Sequence, residues 1–141
     1  MAVSVPRKSP IAEWRSHMRD LFMLEARDVW APGTTWIWGR DEPVQMHLTF
    51  YLPRPSDHWG RNEAGIVPRY QGVQHTRKPD IENLAKAVMD EAEGTLVERD
   101  QQVARLLSEK LYVPETNDRC GCWVVVEPFA ERTDTWKPPS L

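Results

Sequence analysis

Four charged residues fall within eleven positions near the middle of the chain, Asp80, Glu82, Lys86 and Asp90, and Asp100 follows ten positions later. Carboxylate oxygens are hard donors, the kind that magnesium accepts while keeping several of its waters. A metal held by Asp80, Glu82 and Asp100 can activate a water and neutralise charge developing on a phosphate. A lysine such as Lys86 can stabilise the crowded phosphorus of the transition state or orient the nucleophile. The chemistry suggested by these residue types is hydrolysis of a phosphate ester. A plainer reading uses the same residues. Glu82, Lys86 and Asp90 recur every four positions, which is how a solvated, ion-paired helix face looks. Asp80 is then only a helix cap.

The spacing predicts a helix from Asp80 to about Gly94. Asp80 is the expected N-cap, its carboxylate accepting bonds from free backbone N–H groups. Ile81, Leu84, Ala85, Val88, Met89 and Ala92 form one apolar stripe, which must be the buried face. At roughly 100° per residue, Glu82, Asn83, Lys86 and Asp90 share the polar face. Gly94 breaks the helix, and Glu98-Arg99-Asp100 brings acid back after a short turn.

Other elements must hold that helix. Ser9-Pro10 is a helix start, a cap residue followed by proline at the first helical position. Ile11, Trp14, Met18, Leu21 and Phe22 recur at helical spacing, so a helix is expected from about Pro10 to about Arg27. Trp36 to Trp38 reads as a short strand. Val44 to Tyr51 alternates apolar and polar residues and reads as a half-buried strand. Val103 to Val113 has helical periodicity at Val103, Leu106 and Leu107 but a strand-like end at Tyr112-Val113. Gly121 to Phe129, with Trp123-Val124-Val125-Val126, reads as a strand. Residues 1–130 are expected as one domain and 131–141 as a loose C-terminal tail. The mixed order of elements suggests a single small α+β domain.

Pro53 to Pro79 is long, irregular and rich in proline and glycine. Loops of this length inside a compact domain are usually functional or mobile. It holds Arg54, Arg61, Arg69, Arg77 and Lys78 against Asp57 and Glu63, and Trp59 and Tyr70 supply flat faces able to stack on bases. By composition alone it reads equally as a solvated loop.

The chain has 141 residues and a formal net charge of −3, so any nucleic-acid contact must use a local basic patch. No apolar run approaches the ~20 residues needed to span a bilayer. No apolar segment follows Arg7 and Lys8, so a secretory signal is not expected and the expected compartment is the cytoplasm. Cys120 and Cys122 are expected as free thiols in or beside a strand, because a disulfide two residues apart would be strained and two thiolates do not make a zinc site. His17, His47, His58 and His75 are scattered at no ligand spacing and read as structural or surface residues.

Lys78-Pro79-Asp80-Ile81-Glu82-Asn83, Lys86, Asp90 and Asp100-Gln101-Gln102-Val103 together resemble the signature of the RusA family of Holliday junction resolvases. The resemblance is dense over residues 77 to 113. It implies a mostly antiparallel mixed sheet packed with helices, which would make the Val103 stretch a strand. It implies metal-binding and catalytic roles for Asp80, Glu82 and Asp100, a catalytic role for Lys86, and a further acid at Asp90. It places Arg54, Arg61, Arg69, Arg77 and Lys78 near the site as candidates for phosphate contacts, and Lys110, which matches a basic residue of the family, joins them as a DNA-binding candidate. The implied activity is magnesium-dependent nicking of two opposed strands in a four-way DNA junction, with manganese as a possible substitute. The implied assembly is a homodimer, since a junction offers two symmetry-related phosphates. A bacteriophage origin also follows from the resemblance.

Two positions depart from the family pattern. Glu82 stands where Asp is usual, one methylene farther from the backbone. Arg99 stands where the first of two aspartates is usual, with Glu98 as a neighbouring acid that could compensate. These departures keep open a non-catalytic branched-DNA binding protein. A metal-dependent nuclease for flaps or other branched DNA is also open, because carboxylates and a lysine do not encode substrate shape.

Overall fold

The structure is a computed structural model that describes residues 1–6, 11–61, 65–114 and 120–130. Four strands, β1 (Ala2–Pro6), β2 (Val44–Leu52), β3 (Val103–Tyr112) and β4 (Gly121–Pro128), form one sheet in the order β1-β4-β2-β3. Two helices accompany it, α1 (Ile11–Ala26) and α2 (Ile81–Ala92). The architecture is α+β. β1 pairs antiparallel with β4, and β4 antiparallel with β2. β2 and β3 run parallel.

That parallel pair decides where α2 goes. Two parallel neighbours cannot be joined by a hairpin; the chain must cross over, and a helix is the usual way to do so. α2 lies in this crossover, so it runs back against the strand direction. Its start lies at the C-terminal ends of β2 and β3.

The alternation in β2 sets its orientation. Val44, Met46, Leu48, Phe50 and Leu52 are all buried, while His47 is exposed. The inward residues meet Trp14, Met18, Phe22 and Ala26 of α1, spaced one helical turn apart, and Leu84, Ala85, Val88 and Ala92 of α2. Cys122, Val124 and Val126 of β4 complete this core. The opposite sheet face carries Trp123 and Leu107, both exposed. Burying a side chain of the size of Phe22 or Leu48 contributes about 1.5–3 kcal/mol relative to leaving it in water.

Val103–Tyr112 is a strand, as the family resemblance implied and against its helical periodicity, which arises because β3 is at the sheet edge. Leu106 and Leu107 point to opposite faces and both stay exposed, so no alternation survives there. Trp36 to Trp38 is not a strand: Trp38 makes only a single bridge to Val97. β1 was not anticipated. It is a five-residue edge strand paired to β4, and the Met1 amino group donates to the Val126 carbonyl at 2.9 Å. The proposed helix start at Ser9-Pro10 and the tail at 131–141 lie outside the described residues. Cys120 and Cys122 are buried thiols that form no disulfide with each other. No helix among the described residues is long and apolar enough to cross a membrane.

Candidate active site

α2 buries Leu84, Ala85, Ala87, Val88 and Ala92, and leaves Glu82, Asn83 and Lys86 exposed. The apolar stripe therefore fixes the rotation of the helix and with it the direction of the charged face. The helix ends where expected, because Gly94 adopts φ +83°, a conformation that costs little only without a Cβ. The start differs from expectation. Asp80 occupies the N-cap position with extended backbone, but its side chain makes no capping hydrogen bond and is exposed. The Asp80 carboxylate is thus not engaged in holding the helix.

Lys110, near the end of β3, holds the segment that leads into α2. Its Nζ donates to the Arg77 carbonyl at 2.6 Å and to the Pro79 carbonyl at 3.2 Å. The ammonium thereby positions the turn before Asp80. Its cation sits beside the exposed pair Arg77 and Lys78.

The long loop is also better ordered than its composition suggests. Arg54, expected to touch phosphate, is only 8% exposed. Its Nε donates to the Val113 carbonyl at 2.8 Å, and one terminal nitrogen donates to the Tyr70 carbonyl at 3.1 Å. It also lies over the Tyr112 ring, 5.2 Å from the centroid. Arg54 is a loop anchor, because a charge this buried must be satisfied by protein acceptors. His58 is buried and stacked on Tyr70 with ring centroids 4.1 Å apart, and Arg69 lies over the Tyr70 ring at 4.9 Å. Tyr70 is therefore already stacked. Arg61, Arg69, Arg77 and Lys78 remain exposed on this segment.

Asp100 begins a short 3-10 turn, Asp100–Gln102, that leads into β3. The buried Gln102 fixes that turn. Its Nε2 donates to the carbonyls of Gly39 and Glu42 at 2.8 and 2.9 Å, and its Oε1 accepts the Arg99 N–H at 2.9 Å. Asp100 is consequently tied to the start of β3, whereas Asp80 is tied through Lys110 to its other end. Val103 and Lys110 are separated by roughly 23 Å of extended strand. Among the described residues, no three His, Cys, Asp or Glu side chains are gathered to hold a metal ion. Asp80 with Glu82, and Asp100, thus lie toward opposite ends of β3 within one chain. Glu98 does not replace the missing acid at Arg99. Both its oxygens accept from Arg40, Oε1 from the guanidinium at 2.6 and 2.9 Å and Oε2 from the backbone N–H at 2.7 Å. The Arg40 bonds hold the Glu98 carboxyl below its usual range. Arg99 instead lies 3.7 Å from Glu93 at the end of α2.

Asp90 faces α1. Its Oδ2 pairs with Arg15 at 3.2 Å, and Arg15 also reaches Glu91 at 3.1 Å. Between the two helices lies a cleft of about 250 Å³ lined by Trp14, Arg15, Pro79, Asn83, Leu84, Lys86, Ala87 and Asp90. Sequence reasoning missed Arg15 and Arg40, and it singled out Gln102 only as part of the motif. Nothing in the local sequence of the two arginines distinguishes them, since each acts on a residue more than 55 positions away.

The model of the family described as endodeoxyribonuclease RusA matches residues 10–120. The chain belongs to the RusA family. The match takes in α1, β2, the long loop, α2 and β3, so the family extends well beyond the charged motif. RusA proteins are endodeoxyribonucleases that act on Holliday junctions, which makes this chain a nuclease by family. No curated protein is similar enough to the chain to count as a match.

Proposed function

We propose that this RusA-family chain resolves four-way DNA junctions by paired hydrolysis of two phosphodiester bonds, acting as a homodimer with a divalent cation, magnesium or manganese. The observation that carries the reading is the placement of Asp80, Glu82 and Lys86. All three are exposed on the start of a helix whose other face is buried, and Arg77 and Lys78, just ahead of that helix in the chain, are exposed as well. Such a surface can hold a phosphate against a fixed lysine and fixed carboxylates. In each nick, water attacks phosphorus, one P–O bond forms and another breaks. Lys86 would neutralise charge on the phosphate oxygens, and a carboxylate of Asp80 or Glu82 would orient the attacking water. The cation requirement is supported by family membership and by the oxygen chemistry of the exposed acids. Asp100 is included as a site residue on its match to the motif.

The test compares an end-labelled four-way junction with a linear duplex of the same sequence, each with magnesium, manganese or EDTA. Asp80→Asn runs in parallel. Paired, metal-dependent cuts confined to the junction and lost in the variant are expected. Tight junction binding without cleavage in either metal would replace the nuclease with a non-catalytic binding protein. Cleavage of flaps in preference to junctions would change the substrate.

A further inference from the structure

Arg15 is set among residues that a structural pair alone does not need. It lines the cleft between α1 and α2 together with Lys86 and Asn83 on one side and the apolar Pro79, Leu84 and Ala87 on the floor. Trp14, 4% exposed, lines the same cleft, and its indole Nε1–H has no hydrogen-bond partner among the described residues. A buried donor left without an acceptor costs about 1–3 kcal/mol. Such a group is left for an acceptor that the described residues do not supply. The donors around the cleft are a guanidinium, an ammonium, an amide and an indole N–H. Asp90 is the acid among the lining residues, and Arg15 pairs with it at 3.2 Å and with Glu91 behind it at 3.1 Å. A donor-rich rim over an apolar floor matches a phosphate joined to a sugar.

We infer that the α1–α2 cleft seats a sugar–phosphate unit of the DNA strand next to the scissile one, with Arg15 as a phosphate-binding residue and the Trp14 N–H as a second donor. The inference rests on the nuclease reading, and it names a contact outside the charged motif. Arg15 is 36% exposed at its side chain, so the terminal nitrogen that meets Asp90 can turn to an incoming phosphate while its Nε keeps the bond to Glu91. The apolar floor receives the deoxyribose, which carries no charge. Lys86 then contacts the strand from the α2 side, and Arg15 from the α1 side.

The experiment measures junction binding in EDTA across a range of salt concentrations, which separates binding from cleavage. Each lost phosphate contact makes the slope of log affinity against log salt shallower by about 0.9. Arg15→Gln is expected to weaken binding several-fold and to remove about one such contact. Trp14→Phe, which deletes the N–H and keeps a ring, is expected to weaken binding with the slope unchanged. Glu91→Gln removes the charge partner that Arg15 and Arg19 share on α2 while leaving the Arg15–Asp90 pair and the cleft cations in place, and it is expected to preserve the slope. An unchanged slope in Arg15→Gln, or the same loss in Glu91→Gln, would overturn the assignment and leave Arg15 as a strut between helices. If the unaltered protein shows no preference for branched over linear DNA, the functional reading fails instead, which the variants do not need to decide.

Discussion

Lys110 Nζ donates to the Pro79 carbonyl at 3.2 Å, so the end of β3 holds the residue immediately before Asp80. A second bond, to the Arg77 carbonyl at 2.6 Å, ties down the same turn. The lysine acts through backbone it positions, and a change there should reach the acids of α2. Lys110→Met is expected to cost about 1 kcal/mol of stability, the low end for a charged hydrogen bond because the group is partly solvated. Junction cleavage should fall by more than that loss accounts for. Urea unfolding and single-turnover cleavage on the same preparation check both halves.

Asp80→Asn separates the two readings of the charged helix face. The carboxylate makes no capping bond, so the substitution should change stability by less than about 0.5 kcal/mol, below the ~1 kcal/mol typical of a lost cap. Cleavage should disappear while junction binding persists. Retained cleavage would show the face to be merely solvated.

Arg54→Ala removes a buried guanidinium and leaves the Val113 and Tyr70 carbonyls without that donor. A loss of about 2–4 kcal/mol is expected, in the range for breaking a buried polar network. Limited proteolysis should then cut within residues 53–79. Arg61→Ala, on an exposed position of the same segment, should leave stability within about 0.5 kcal/mol of the parent.

His75 carries a pH signature. Burial of the ring, and next the nearby Lys110, push its pKa below the ordinary 6.5. The folded state thus favours the neutral ring. As pH falls through 6.5 the unfolded chain takes up this proton first, so stability is lost toward the folded-state pKa and is fully present above 6.5. An NMR titration should place His75 below 6.5, and Lys110→Met should move it upward.

Cys122 gives a second pH expectation. Burial pushes its thiol up to about 12 from 9.0. Between these values the unfolded chain has released the proton and the folded chain has not, so this site lowers stability as pH rises past 9. In the native protein at pH 8 the thiol should resist alkylating reagents, and it should react once denaturant is added. Mass spectrometry of the alkylated protein reads the difference.

What was legible in the sequence was local. The apolar stripe of α2 was evident from Ile81 to Ala92, and so were the α1 stripe through Trp14, Met18 and Phe22 and the alternation of β2. Each is set by side chains three, four or two positions apart, which one stretch of chain contains in full. The motif around Asp80 was legible too, because its residues sit on one helix and match a family pattern. β3 was harder. Its position at the sheet edge exposes Leu106 and Leu107 alike, which erases the period that marks a strand.

By itself, the sequence determined which faces are buried, where α2 starts and stops, and which acids lie exposed on it. Only the tertiary structure decided what the isolated charges do. Arg54 and Lys110 were legible only as cations until the fold brought them to the Val113, Arg77 and Pro79 carbonyls. Glu98 read as a spare acid until the fold placed Arg40 against it. The parallel pairing of β2 and β3 set Asp80 and Asp100 at opposite ends of β3. A charge is worth what surrounds it, and those surroundings come from segments tens of residues away, whose approach depends on how the whole core packs.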